Sequence, residues 1–158
     1  MFQTKPQIAL SLIKSNITLC VKFDWIGSDG SYGQNTELTT ELDKERFFYV
    51  LDVHKDELIY LEEPSFSIPL KKRKRGSSPV KVKADKADFR IDKYFQNIEE
   101  NQWDKVQIRK TAKSCKYVLA HTVTVWYWDG KEEKACARTL VITKTQELRP
   151  LLKHFMTK

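Results

Sequence analysis

Asp29 is the residue whose setting most invites chemistry. It stands in the stretch Ile17 to Gly33, ITLCVKFDWIGSDGSYG, where Val21, Phe23 and Trp25 alternate, Ile26 closes the apolar run and Gly27, Gly30 and Gly33 break it. The pattern predicts a buried strand that ends in an acid-bearing, glycine-rich turn. Open α/β sheets present their chemistry just beyond the carboxyl ends of strands, so an acid there is better placed for function than one inside a helix. The competing reading is that Asp29-Gly30 is only a solvated turn. Asp24 alternates away from Phe23 and Trp25 and reads as structural. Asp52 interrupts a second apolar run, and reads either as a strand-end acid or as a second metal ligand.

Other chemistries find little support. The three cysteines (Cys20, Cys115, Cys136) and three histidines (His54, His121, His154) are scattered, so no zinc spacing can be drawn. Reduced cysteines packed as small hydrophobes are the expectation. Ser28 and Ser31 flank Asp29, but neither sits in a nucleophile-elbow phrase or near a histidine in sequence. The chain has 158 residues, 41% hydrophobic and 31% charged, which suits one soluble domain with a real core. Its formal charge of +7 is compatible with a polyanionic partner. No apolar run is long enough to span a bilayer and the N-terminus lacks a secretory pattern, so a cytosolic protein is the expectation.

The elements that must position Asp29 follow from periodicity. An opening helix is capped by Thr4 and started by Pro6, with Ile8, Leu12 and Ile13 on the face meant for the sheet. A second helix, Thr36 to Lys44, is capped by Asn35 or Thr36 and turns Leu38 and Leu42 inward. Its free amide groups lie beside Asp29, where they could hold a phosphate. Phe47 to Val53 is nearly continuously apolar and predicts a parallel strand covered on both faces.

The character changes after Leu61. Lys71, Lys72, Arg73, Lys74 and Arg75 run into Gly76-Ser77-Ser78-Pro79 and on to Lys81, Lys83 and Lys86, a segment that buries little and should be mobile. It is either a solvated charged loop or a DNA contact. Ile91, Tyr94, Phe95 and Ile98 then form a core-facing helical stripe, with Trp103 packed at its end. From Val106 the period becomes two, predicting antiparallel strands at Val106 and Ile108, at Val118 to Trp128 and at Arg138 to Lys144, with Asp129 to Lys134 connecting the last two. Arg109, Lys110, Lys113 and Lys116 precede the long strand as either phosphate contacts or solvated charges.

The order strand, D-G-x-Y-G (Asp29 to Gly33), helix, strand resembles the middle of the DDE transposases of bacterial insertion sequences. YVLDVHKD (Tyr49 to Asp56), IRKTAKS (Ile108 to Ser114), VWYWDGKEEKA (Val125 to Ala135) and RTLVIT (Arg138 to Thr143) extend the resemblance in the family's order. It implies an α/β fold. A partial ribonuclease H-like core (helix, strand, helix, strand) over residues 1–61 precedes a basic connection over 62–90. A mainly antiparallel β-rich insertion with one helix over 91–145 and a divergent tail over 146–158 complete it. It also implies that Asp29 is the second of three metal-binding carboxylates, that Mg²⁺ serves a two-metal phosphoryl transfer, and that transposon-end and target DNA are the partners. Lys71 to Arg75, Arg109, Lys110 and Lys113 become DNA contacts in this setting.

The family's first aspartate lies on a strand upstream of the opening helix and its glutamate on a helix after the insertion. Neither position is matched here. Glu147 is the only late acid, and Pro150 breaks its segment. A lone aspartate makes a poor Mg²⁺ site. The expectation is therefore an internal transposase fragment, inactive alone, with an uncovered sheet edge. The alternatives are a non-catalytic basic module that binds DNA or the intact transposase, and a decayed remnant without a role.

Overall fold

The computed structural model describes residues 2–69, 80–110, 115–130, 133–144 and 153–157. The basic run Lys71 to Arg75, Lys113 and Glu147 lie outside the described residues. Helix α1, Lys5–Thr18, opens as the sequence predicts: the Gln7 side chain accepts from the Thr4 backbone N–H at 3.0 Å, and Pro6 occupies the first turn. Its contact face differs from the predicted one. Leu10 and Ile13 pack inward, while Ile8 and Leu12 stay exposed.

The predicted strand from Ile17 is corrected. Helix α1 runs on through Thr18, and Cys20 then adopts a left-handed φ of 58°. The Val21 N–H donates to Asn16 O at 3.0 Å and the Cys20 N–H to Ile17 O at 2.9 Å, the bonding of a Schellman ending built without glycine. Val21, Phe23 and Trp25 follow outside any strand and are exposed, so their alternation does not mark a buried face. Only Ile26–Ser28 forms strand β1.

The D-G-S-Y-G phrase is a one-turn helix, α2 (Gly30–Gly33), where a simple turn was expected. Helix α3 spans Thr36–Lys44, capped by Asn35, whose Oδ1 accepts from the Leu38 N–H at 2.7 Å. Arg46, at φ 60°, closes it with a second Schellman ending: Phe47 N–H donates to Leu42 O at 3.0 Å and Arg46 N–H to Asp43 O at 3.1 Å. Strand β2, Tyr49–Asp52, pairs parallel with β1 in the register Ile26–Tyr49 to Ser28–Leu51. Only one face of β2 is fully covered, a further correction: Tyr49 and Leu51 are buried, whereas Val50 and Asp52 are half-buried.

Short strands follow at Leu58–Ile59 (β3), Phe66–Ser67 (β4), Lys83–Ala84 (β5) and Phe89–Arg90 (β6), pairing β3 with β6 and β4 with β5. Helix α4, Ile91–Gln96, leads through a 3-10 turn at Glu100–Gln102 to β7 (Asp104–Lys110), β8 (Cys115–Tyr127), β9 (Cys136–Lys144) and β10 (Lys153–Thr157). Strands β1, β2 and β7 to β10 form a six-stranded sheet in the order β1-β2-β10-β9-β8-β7, in which only the β1–β2 pair is parallel. One continuous sheet thus joins the α/β half to the antiparallel half through β10. Among the described residues β1 stands at one edge of this sheet.

Two apolar clusters flank the sheet. Leu38 and Leu42 of α3 cover Tyr49 and Leu51. Val53, Ile59, Ile91, Val125, Leu140 and Ile142 form the other, against which Tyr94, Phe95, Ile98 and Trp103 pack; α4 ends at Gln96, so Ile98 reaches the cluster from beyond the helix rather than as part of the predicted stripe. Buried His121 on β8 holds that layer: its Nδ1 meets the Gln102 carbonyl and its Nε2 the Tyr94 hydroxyl, each at 2.9 Å. The carbonyl can only accept, so Nδ1 is the donor of that bond. Across the clusters, buried Arg138 of β9 pairs with Asp43 of α3 at 2.6 Å, and the Tyr49 hydroxyl donates to the same carboxylate at 2.9 Å. Burial and the Asp43 carboxylate push the Tyr49 phenol far above its ordinary range, with the Arg138 charge opposing them.

The cysteine expectation is corrected too. All three are free, but Cys20 and Cys115 are exposed and only Cys136 is half-buried.

Candidate functional site

Asp29 occupies the position immediately after β1, at the carboxyl end of the parallel pair. It caps α2, with its Oδ1 accepting from the Ser31 N–H at 3.2 Å. The residue is exposed and its second carboxylate oxygen has no partner among the described residues. The two glycines that follow hold this cap close to β2. A Cβ on Gly33 would collide with the Asp52 carbonyl oxygen, and one on Gly30 would stand 3.3 Å from the His54 imidazole. Spacing within D-G-x-Y-G therefore reflects a turn laid directly on the end of β2.

Polar contacts fasten the same corner to the rest of the fold. Gln34 donates to Glu57 at 2.5 Å, Tyr127 of β8 donates to the other Glu57 oxygen at 3.0 Å, and Thr36 donates to Asp129 at 3.3 Å. Burial first, and the Glu57 carboxylate second, push the Tyr127 phenol far above its ordinary range.

Asp29 stands on the rim of an open, largely apolar cleft between α1, β1 and α3, lined by Leu12, Ile13, Ile26, Leu38 and Leu51. Asp52 lies with Trp25, Gly27 and Val50 in a separate cleft over the other face of β1 and β2. Asp24 is an exposed residue in the lead-in to β1. No group of three or more histidine, cysteine, aspartate or glutamate side chains that could hold a metal ion occurs among the described residues. Asp29 alone does not fit a divalent cation, which needs several oxygen ligands. In the chain α2 intervenes between Asp29 and α3, and the Asn35 side chain occupies the Leu38 amide of the α3 N-terminus.

Arg109 and Lys110 stand together on β7, where every residue is exposed. Lys105 on β7 and Lys116 on β8 accompany them, and none of the four makes an ion pair among the described residues. Lys105 joins them as a further exposed cation of β7, on the face of Lys110 and opposite to Arg109 and Lys116. In the connection, Lys81 and Lys83 are exposed and Lys86 pairs with Glu62 at 2.6 Å. The fold does not bring the β7 cations to Asp29. They stand at opposite edges of a six-stranded sheet, five strand spacings or roughly 24 Å apart.

An exposed carboxylate stands at the end of the parallel strand pair, and the antiparallel extension carries cations without carboxylate partners among the described residues. The sequence profile of the DDE superfamily endonucleases matches residues 1–115, from α1 to the first residue of β8, and the chain belongs to this superfamily. Membership implies a DNA substrate and chemistry that uses a divalent metal. No curated protein and no solved structure matches the chain. Among the described residues no helix is long and apolar enough to cross a membrane.

Proposed function

We propose that this chain is a segment of an insertion-sequence transposase, contributing Asp29 to a Mg²⁺ centre for DNA cleavage and strand transfer, and that it is inactive by itself. The observation that carries this reading is Asp29 itself: exposed at the carboxyl end of β1, with one carboxylate oxygen unpartnered among the described residues and outside any group of three or more metal-ligating side chains there. The open β1 edge and the clefts on both faces beside it agree with a core that lacks neighbouring structure. The reading divides the chain at residues 61, 90 and 145 into partial core, basic connection, β-rich insertion and tail. Incubating the purified chain with supercoiled plasmid and Mg²⁺ tests it: no nicking is expected. Nicking that disappears in Asp29→Asn overturns the inactivity.

A second reading is a non-catalytic module that binds DNA, or binds the intact transposase. The unpaired cations of β7 and β8 favour it, with Lys71 to Arg75 and Lys113 as further phosphate contacts. DNA binding that survives Asp29→Asn and weakens steeply with salt supports this reading over catalysis.

A further inference from the structure

The pairing of β7 with β8 outlasts the pairing of β8 with β9. Among the described residues strand β9 meets β8 only from Leu119–Lys144 onward, so there Val106 to Lys110 and Cys115 to Val118 pair as a two-stranded ribbon. Every β7 residue is exposed, as are Cys115, Lys116 and Tyr117. Val118 at its base is buried, but an isolated pair of strands is at best marginally stable in water, so a ribbon exposed along the whole of β7 is a costly element to keep without a partner. Its charge is one-sided in sign. Lys105, Arg109, Lys110 and Lys116 lie along it without carboxylate partners among the described residues, and Asp104 at its base is its only acid there.

Register distributes those cations over both surfaces. Lys105 and Lys110 share a face with Tyr117, since they pair with Leu119 and Cys115, and the Lys105 ammonium lies 4.7 Å from the Tyr117 ring centre. Arg109 faces the other way with Lys116. A bulge between Gln107 and Arg109 twists the ribbon and spoils its outer edge for pairing with another strand. That disfavours a second copy of this chain and leaves a polyanion as the complementary partner. Two strands about 4.8 Å apart, with side chains projecting from both faces, fit a major groove about 12 Å wide without deforming it, whereas a minor groove of about 6 Å would have to be forced open to admit them.

We propose that the β7–β8 ribbon enters the major groove of duplex DNA, where Lys105, Arg109, Lys110 and Lys116 reach the phosphates on the two groove walls. The inference rests on the reading that the chain acts on DNA, and not on catalysis at Asp29. The ribbon lies at the far edge of the sheet from that residue, so it grips the duplex at a distance from any cleavage point.

The test is fluorescence anisotropy of a labelled duplex with the full chain across a salt series. The variants are Lys105→Gln/Arg109→Gln/Lys110→Gln/Lys116→Gln and, as a control, Lys81→Gln/Lys83→Gln. All these positions are exposed, and circular dichroism melts confirm that each variant folds. The ribbon variant is expected to flatten the log–log salt slope by about 3 and to weaken binding more than a hundred-fold at 0.1 M salt, as loss of three to four phosphate contacts requires. The control should change the slope by no more than about 2. Groove choice is read with duplex whose cytosines carry glucosylated hydroxymethyl groups, which crowd the major groove, and with netropsin, which fills the minor groove. Loss of binding to the first and indifference to the second are expected. Duplex binding that the ribbon variant retains, displacement by netropsin, or tighter binding to single strands overturns the ribbon assignment and leaves the DNA reading standing. Absence of any DNA binding by the unaltered chain at low salt overturns both.

Discussion

Substituting alanine for each glycine of the D-G-x-Y-G turn separates two physical effects at one short helix. Both Gly30 and Gly33 lie within α2, and neither has a positive φ. Alanine at either place gains about 0.5–1 kcal/mol from the lower backbone entropy of the unfolded chain. At Gly30 the added methyl meets only the His54 ring at 3.3 Å, and that exposed side chain can move by a few tenths of an ångström. The net change should be within about 0.5 kcal/mol of zero. At Gly33 the methyl runs into the Asp52 carbonyl oxygen, with the Val53 side chain 3.1 Å away. Backbone in a paired strand cannot yield as a side chain does, so α2 must lift from β2 and the gain in propensity is overwhelmed. Overpacking of this kind costs about 1–3 kcal/mol, and the backbone obstacle places Gly33→Ala at the upper end. Urea unfolding followed by tryptophan fluorescence gives both numbers. A Gly33→Ala variant as stable as the parent, or two variants of equal stability, would refute the argument that contact with β2 dictates the second glycine.

Other residues carry equally specific expectations. Arg138→Met removes a buried guanidinium paired with Asp43 at 2.6 Å and should cost about 3 kcal/mol in urea unfolding, with little rescue by Arg138→Lys, whose point charge sits differently. Arg46→Gly relieves a left-handed residue and should stabilise by about 1 kcal/mol, raising the melting temperature by about 2–4 °C, whereas Arg46→Ala should give no such gain. Tyr49 and Tyr127 have phenols raised well above the ordinary 10.0, so the folded state retains protons that the unfolded chain releases. Their contribution is complete below about pH 10 and is lost as pH rises beyond it. Thermal melts at pH 9, 10 and 11 should therefore show a progressive fall, smaller in Tyr127→Phe; a flat profile contradicts it.

Legibility followed how local each signal was. Helix α3 was readable at both ends because Asn35 caps it and Leu38 and Leu42 repeat at its period. The stripe from Ile91 to Phe95 and the alternation in β8 and β9 were similarly plain, since burial against one neighbour imposes a period on the sequence. The end of α1 was not readable. Its stop is Cys20 in a left-handed conformation, where glycine is the usual marker, and the apolar residues beyond it imitate a strand while lying exposed. Strand β10 was missed for another reason: its place between β2 and β9 depends on partners remote in sequence, about which a five-residue segment says nothing. At the site, Asp29 was found because glycine spacing records the contact with β2. That Lys105 shares a face with Lys110 was hidden because the bulge after Gln107 breaks simple alternation.

Asp29, proposed as one carboxylate of a divalent-metal centre whose other ligands are not assembled among the described residues, is tested most directly by cation binding. Titrating Mn²⁺, as a spectroscopic substitute for Mg²⁺, into the purified chain and following the free ion by electron paramagnetic resonance gives the affinity without any need for turnover. The account predicts no stoichiometric site, only weak millimolar association that Asp29→Asn barely alters. One tightly bound Mn²⁺ per chain, lost on Asp29→Asn, would contradict it and would mean that the chain assembles a complete metal centre.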